Sequence, residues 1–173
     1  MYYGAVKTCD VANGTGVRVS LFVSGCTNHC EGCFQPETWS FTYGRKYTQE
    51  TKEEILRALE PDYIQGLTVL GGEPFELENQ PEVADLVTAV RERFPGKDIW
   101  CYTGFVLEED LAPGGRRFGE YTEQLLAGLT VLVDGRFEQD KKNLGLAFRG
   151  SSNQRLIDME ASRRAGRVVC LEL

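Results

Sequence analysis

The sequence predicts an α/β fold in which a mostly parallel sheet carries helices on its outside. In the middle of the chain, short runs rich in β-branched and aromatic residues alternate with segments whose apolar residues recur at helical spacing. Each of these runs ends in glycine or in another residue that favours a turn, as expected where a strand passes into a loop. This alternation is typical of parallel strands joined by helical crossovers.

Six strands and three helices are predicted, separated by turn-rich connections. The predicted strands cover residues 2–8, 17–23, 66–70, 98–103, 129–133 and 167–172. The predicted helices cover residues 48–60, 81–94 and 120–127. Thr48 or Thr51 is expected to cap the first helix, because a threonine hydroxyl can accept a hydrogen bond from the first turn. No repeat or linker interrupts the pattern, so residues 1–173 are predicted to form a single domain.

The bulk composition narrows the classes of function. Hydrophobic residues make up 42% and charged residues 26% of the chain, as in ordinary globular proteins. The formal net charge of −7 argues against a general nucleic-acid or membrane-surface binder. No apolar run approaches the roughly 20 residues of a membrane span, and the N-terminal residues lack the pattern of a signal peptide. We therefore expect a cytoplasmic protein with neither nucleic acid nor membrane as a partner.

A loop with three closely spaced thiols follows the predicted strand at residues 17–23. Cys26, Cys30 and Cys33 have the spacing C-x3-C-x2-C, which allows several sulfurs to reach one metal centre. A cubane iron–sulfur cluster ordinarily uses about four thiolates, so three local ones would leave one iron open for a substrate. His29, the only histidine of the chain, could instead complete a zinc site, but adjacent ligands such as His29 and Cys30 rarely point at the same ion.

The other three cysteines are scattered along the chain. Free cysteine is often buried as a small apolar residue, which is the expected state of Cys9, Cys101 and Cys170. A cluster with four protein ligands, as in an electron-transfer module, would need one of them. Cys101 lies in a predicted strand that ends near the site, so it is the candidate to examine as a fourth ligand.

A second motif, Gly71-Gly-Glu-Pro74, follows the predicted strand at residues 66–70. Glycine lets a ligand approach the backbone closely, and proline fixes the turn. Glu73 would then place a carboxylate, suited to binding an amino group, at the edge of the sheet where α/β proteins assemble their sites. Taken alone, the motif also fits a tight turn with an exposed glutamate.

The thiol loop after one core strand and Gly-Gly-Glu-Pro after the next resemble the radical S-adenosylmethionine superfamily. Within it, the chain is similar to the activating proteins of anaerobic (class III) ribonucleoside-triphosphate reductases. The similar segments are residues 13–18, 21–26, 30–34, 38–39, 98–100, 102–104, 131–135 and 149–154. The run Arg-Gly-Ser-Ser-Asn-Gln at residues 149–154 is the segment that points to the activating proteins themselves.

The resemblance implies a [4Fe-4S] cluster on Cys26, Cys30 and Cys33, with S-adenosyl-L-methionine bound at its open iron. It implies reductive cleavage of S-adenosylmethionine to methionine and a 5′-deoxyadenosyl radical. That radical would remove a hydrogen atom from a glycine of the anaerobic ribonucleoside-triphosphate reductase, the protein substrate, and leave a glycyl radical there. The electron would come from a flavodoxin- or ferredoxin-like donor.

The resemblance also implies cofactor-binding roles at the ends of the predicted strands. Gly72 and Glu73 would contact the methionyl amino group. The backbone from Gly32 through Cys33 to Phe34 would meet the adenine. The candidates for contacts with the ribose and the methionyl carboxylate are Thr103, Asp134, Arg136 and Arg149.

The sequence departs from the superfamily pattern in two respects. An aromatic residue often precedes the third cysteine, whereas here Gly32 does and Phe34 follows it. The chain is also short for an eight-stranded barrel of ~250 residues, so a partial, open β/α barrel is expected, whose open side could admit a protein loop.

Two other functions stay open: a radical enzyme that acts on a small molecule, and a non-catalytic module that holds structural zinc or an electron-transfer cluster.

Overall fold

The computed structural model describes residues 1–173 as a mixed α/β structure with one seven-stranded sheet and four α-helices. The strands are β1 (Tyr2–Asp10), β2 (Val17–Val23), β3 (Arg45–Lys46), β4 (Ile64–Gly71), β5 (Asp98–Tyr102), β6 (Val131–Asp134) and β7 (Arg155–Asp158). The helices are α1 (Gln49–Ala58), α2 (Gln80–Arg93), α3 (Thr122–Gly128) and α4 (Met159–Ala165). None of them combines the length and the hydrophobicity that a membrane crossing requires.

The sheet is parallel at its centre and antiparallel at its margins. Its strand order is β3-β1-β2-β4-β5-β6-β7, with parallel pairing from β2 through β4 and β5 to β6. β1, β3 and β7 add antiparallel pairs. The sheet is open, since β3 and β7 form its two edges and do not pair with each other. The predicted strand–helix alternation is confirmed for the central strands, whose carboxyl ends consequently share one edge.

The two faces of the sheet differ because side chains alternate along each strand. On β4, Leu67 and Val69 belong to the main core, which also contains the buried side chains of α1, α2 and α3. Thr68 and Leu70 face the other way, and Leu70 lines a cavity there. The packed helices therefore cover one face and leave the other for the site.

The C-terminal part of the chain differs from the predicted elements. β7 and α4 lie where a polar loop and an irregular tail were expected, and the predicted strand at residues 167–172 is reduced to one bridge between Ile157 and Cys170. β7 has only four residues, with burial at its two middle positions, so no alternating pattern marks it as a strand. At the start of α1, Thr48 is the cap, and its hydroxyl accepts a hydrogen bond from the Thr51 N–H at 3.3 Å.

Candidate functional site

The loops that follow β2, β4, β5 and β6 meet at the carboxyl edge of the sheet. The loops after β2 and β4 are joined by backbone hydrogen bonds, from the Gly72 N–H to the Val23 carbonyl (2.7 Å) and from the Glu73 N–H to the Gly25 carbonyl (2.8 Å). Ligands of open α/β sheets bind at this edge, where loops from neighbouring strands contribute groups to one crevice.

A cavity of about 570 Å³ lies at this edge and extends over the sheet face that the helices leave uncovered. All three cysteines of the thiol loop line it. Its volume lies within the range of about 300–1,000 Å³ that is usual for small-molecule sites. Six aromatic side chains also line it: Phe22, Phe34, Trp39, Tyr102, Phe137 and Phe148. Glu73 is the only carboxylate of the wall, and Lys7 and Arg149 are its cations.

The thiol loop is tied to two neighbouring loops, those after β4 and β6. Glu76, in the loop after β4, accepts hydrogen bonds from the N–H and the hydroxyl of Thr27 at 2.7 and 2.6 Å. The Asn28 side-chain amide donates to Glu73 at 3.2 Å. Arg136, in the loop after β6, donates to the Asn28 carbonyl at 2.7 Å. These bonds fix the segment between the first two motif cysteines.

The thiols are in different degrees of burial. Cys26 is buried, whereas Cys30 and Cys33 are partly exposed. Burial raises the pKa of the Cys26 thiol to about 11, and backbone hydrogen bonds from Asn28 and His29 oppose this shift. Because the thiolate is the form that binds metal, ligation at Cys26 would release a proton.

No three His, Cys, Asp or Glu side chains lie close enough together to hold a single metal ion. A cubane cluster presents a separate iron to each thiolate, so its ligands need not converge on one point. His29, the candidate fourth zinc ligand, is exposed, has a φ of 44° and stacks its ring on Trp39 with 4.4 Å between centroids.

The scattered cysteines lie away from the cavity wall. Cys101 is fully buried in the core beneath the helices, with its sulfur 3.8 Å from the Tyr102 carbonyl oxygen. The expected burial is therefore confirmed for Cys101, but it is wrong for Cys9, which is exposed on β1, and for Cys170, which is exposed in the C-terminal segment. The wall of the cavity contains only the three cysteines of the motif.

Glu73 is buried, with 1% of its surface exposed, and its carboxylate accepts four hydrogen bonds from the protein. One oxygen accepts from the Phe75 N–H (3.0 Å) and the Thr103 hydroxyl (2.7 Å). The other accepts from the Gly104 N–H (2.7 Å) and the Asn28 amide (3.2 Å). Burial raises the pKa of Glu73 to about 7 even though these donors favour the charged form. The alternative of a turn with an exposed glutamate is therefore wrong.

The two glycines predicted to contact the cofactor occupy different settings. Gly72 lines the cavity, and a Cβ there would lie 2.7 Å from the Gly25 carbonyl oxygen and 2.9 Å from that of Thr38. Gly32 is exposed, with a φ of 75°, and a Cβ there would lie 2.0 Å from the Gln139 Oε1 atom. The positive φ, which favours glycine, explains why no aromatic residue precedes the third cysteine in this chain, whereas the flexible Gln139 side chain could move aside.

The remaining candidates are distributed unevenly around the cavity. Thr103 lines it, but its hydroxyl already donates to Glu73 and accepts from the Phe105 N–H at 3.1 Å. Asp134 is fully buried away from the wall and binds the Arg155 guanidinium at 2.9 and 2.6 Å. Arg136 is exposed and also lies outside the wall. The ligand roles of these three residues stay predictions.

Two buried donors in the wall have no hydrogen-bond partner, the Trp39 indole N–H and the Arg149 Nε–H. An unpaired buried donor is costly, so such groups usually meet a ligand or water. Phe34, which is 65% exposed, offers an aromatic face, with its ring centroid 5.4 Å from that of Phe137. Thiols for a cluster, aromatic faces for a base and free donors for an anionic group are therefore present in one cavity.

Two buried charged side chains, those of Glu76 and Arg18, were not predicted from the sequence. Glu76 lies three positions after Glu73, and this pair of acidic residues directly after a strand is the signal that could have revealed it. Arg18 is fully buried, pairs with Asp98 at 2.5 Å and donates to the Thr68 hydroxyl at 2.7 Å. A single charged residue inside a buried strand was the signal for this ion pair.

Comparison with known proteins identifies one matching family and relatives that share one name. A family described as "4Fe-4S single cluster domain" matches residues 12–157. An anaerobic ribonucleoside-triphosphate reductase-activating protein of Enterobacteria phage T4 is 40% identical over 156 residues, covering 90% of this chain and 93% of the relative. Proteins of the same name from Vibrio cholerae and Escherichia coli K12 are 40% and 38% identical over 156 residues, covering 89% of this chain and 96% of each relative.

Proposed function

Because this chain belongs to the family of anaerobic ribonucleoside-triphosphate reductase-activating proteins and matches the 4Fe-4S single cluster domain, we propose that it activates such a reductase by radical chemistry. In this proposal it is an enzyme that cleaves S-adenosylmethionine reductively and generates a glycyl radical on the reductase. The proposal rests on the convergence of the three motif cysteines, Gly72 and Glu73 on one cavity.

Cys26, Cys30 and Cys33 would hold the [4Fe-4S] cluster as thiolates. When bound and reduced, the cluster would supply one electron for cleavage of S-adenosylmethionine to methionine and a 5′-deoxyadenosyl radical, which would take a hydrogen atom from the glycine and leave as 5′-deoxyadenosine. The protein's own contribution is to orient S-adenosylmethionine and to exclude water and other hydrogen donors. The six aromatic side chains of the wall suit both tasks.

Glu73 and Gly72 would receive the methionyl amino group. Gly72 leaves its backbone accessible, since it has no side chain and none would fit there. All four acceptor positions of Glu73 are occupied, so an amino group would have to replace a donor, and the Asn28 amide at 3.2 Å is the most distant. Arg149, with its unpaired Nε–H, is the candidate for the methionyl carboxylate.

The open sheet supports a partial β/α barrel of the radical S-adenosylmethionine type. Its helices pack on one face and its cavity lies on the other, which leaves a side through which a protein loop could enter. A flavodoxin- or ferredoxin-like electron donor and a cytoplasmic location remain predictions.

The proposal is tested with anaerobically reconstituted protein and the cognate reductase. We expect about four irons per chain, 5′-deoxyadenosine after reduction and a glycyl-radical signal on the reductase. Replacing Cys26, Cys30 or Cys33 with Ala should abolish all three results, whereas Cys9→Ala and Cys170→Ala should not. Cleavage without a glycyl radical would favour a small-molecule substrate, and a stable cluster without cleavage would favour an electron-transfer module.

A further inference from the structure

The cavity reaches the surface between exposed apolar side chains. Leu144 and Phe34 line the cavity, yet they are 86% and 65% exposed. Leu144 is the most exposed large hydrophobic side chain of the chain. We call this surface the rim and define it as Phe34, Phe137, Lys142 and Leu144. Exposed apolar residues that border a reaction cavity are typical of a binding surface.

The rim also carries positive charge on an acidic protein. The Lys142 ammonium lies 5.3 Å from the Phe34 ring centroid and forms no salt bridge. Arg136 and Arg149, which flank the rim in sequence, form none either. Residues 136–150 contain four cationic and two acidic side chains, whereas the whole chain has a net charge of −7. The local field therefore favours an acidic partner.

We propose that the rim docks the glycine-bearing segment of the reductase, and that this segment presents acidic side chains around an apolar anchor residue. The inference rests on the proposed function, which requires a protein backbone to reach the cavity. The apolar anchor would pack on Leu144 and Phe34, while the acidic side chains would face Lys142. Glycine suits the innermost position because it has no side chain to hinder close approach.

Two rim substitutions test the docking proposal. Leu144→Asp removes the apolar contact and adds repulsion, and Lys142→Glu reverses the unpaired charge. Each should raise the reductase concentration that gives half-maximal glycyl-radical formation by about tenfold, as expected for an interface residue whose loss costs more than about 1 kcal/mol. For Lys142→Glu, whose side chain lies outside the cavity wall, cleavage of S-adenosylmethionine with a chemical reductant and no reductase should stay at the wild-type rate. Added salt should weaken activation by the wild type more than by Lys142→Glu.

Matched controls lie at the other end of the sheet. Tyr63→Asp and Arg57→Glu change an exposed aromatic residue and an exposed cation near the start of β4, and neither should alter the half-maximal concentration. The docking proposal would be overturned if both rim variants gave the same half-maximal reductase concentration as the wild type. It would also be overturned if the wild type formed a dimer and Leu144→Asp were a monomer, because a second copy of the chain would then cover the rim. If the wild type did not cleave S-adenosylmethionine with a chemical reductant in the absence of the reductase, that result would instead contradict the proposed function.

Discussion

The buried carboxylate of Glu76 binds Thr27, the residue directly after the first motif cysteine, through two hydrogen bonds of 2.7 and 2.6 Å. Arg117 completes the contact with an ion pair to Glu76 at 3.3 Å and a hydrogen bond to the Thr27 hydroxyl at 3.0 Å. Two contacts to one residue restrict both its position and its orientation. The segment from Cys26 to Cys30 is therefore held in place by residues that lie outside the motif.

Glu76→Ala should weaken retention of the cluster by about tenfold, because Thr27 would lose two hydrogen bonds to a carboxylate and Arg117 its ion-pair partner, and a hydrogen bond to a charged group contributes about 1.5–3 kcal/mol. Glu76→Gln should lose less, since its amide oxygen can still accept from Thr27. The measurement is the rate of iron release to a chelator under anaerobic conditions. Glu78→Ala, at an exposed neighbouring position, is the control, and equal release from both Ala variants would contradict the prediction.

Glu73 should make the stability of the apoprotein depend on pH. Burial raises its pKa from 4.5 to about 7, so the folded state binds a proton that the unfolded state has already released. The free energy of unfolding should therefore fall as the pH rises from about 5 to about 7, by on the order of 3 kcal/mol. Carboxyls with a lowered pKa, such as Asp10 and Glu108, contribute to stability throughout this pH range and lose that contribution only at more acidic pH.

Urea unfolding at pH 5 and pH 7.5 measures this dependence. Glu73→Gln should be less stable at pH 5, since both oxygens of a protonated carboxyl can still accept a hydrogen bond, whereas an amide nitrogen only donates. The free energy of unfolding of Glu73→Gln should nevertheless fall much less between pH 5 and pH 7.5 than that of the wild type, because the variant has no carboxyl to titrate at this position. A decline of wild-type size in Glu73→Gln would assign the titration to another group.

Arg155→Ala should destabilise the fold by about 3 kcal/mol, because it leaves the buried carboxylate of Asp134 without its cation. The two residues are directly paired across β6 and β7, and the guanidinium binds both carboxylate oxygens. Arg93→Ala, which breaks an ion pair between half-exposed side chains, should cost less than about 1 kcal/mol. Thermal unfolding of both variants compares the losses, and similar values would mean that the Asp134 pair stabilises no more than a surface pair.

The central strands and the position of the site were accessible from the sequence. Buried parallel strands appear as continuous runs of β-branched and apolar residues, as at residues 17–23, and their ends mark the edge where loops assemble. The thiol loop and Gly71–Pro74 each follow such a run directly. Their arrival at one cavity therefore follows from strand order alone.

The contacts that organise the site were not accessible from the sequence. Glu76 and Thr27 are 49 residues apart, and Glu73 and Asn28 are 45 apart. Local patterns predict burial and turns, but they do not encode which polar side chains of two loops meet. The same limit explains Asp134, which appeared free at a strand end but pairs with Arg155 on an unpredicted strand.

Arg149, rather than Arg136, should bind the methionyl carboxylate. Arg149 lines the cavity with a buried, unpaired Nε–H, whereas Arg136 lies outside the wall and already donates to the Asn28 carbonyl. Arg149→Gln should raise the Kd for S-adenosylmethionine by about 10–100-fold, as expected for a lost charge-assisted hydrogen bond of about 1.5–3 kcal/mol. Arg136→Gln should change it by less than about threefold.

Decarboxylated S-adenosylmethionine makes the assignment specific, because it lacks the group that Arg149 would bind. The decarboxylated compound should bind the wild type and Arg149→Gln with equal affinity, whereas intact S-adenosylmethionine should bind the wild type more tightly. The difference between the two effects is the coupling free energy of the contact between Arg149 and the carboxylate. Calorimetry on the reconstituted protein supplies the four affinities. If Arg149→Gln weakened both compounds equally, the arginine would support the shape of the cavity through Gln154, whose carbonyl it binds at 3.1 Å, and would not contact the carboxylate.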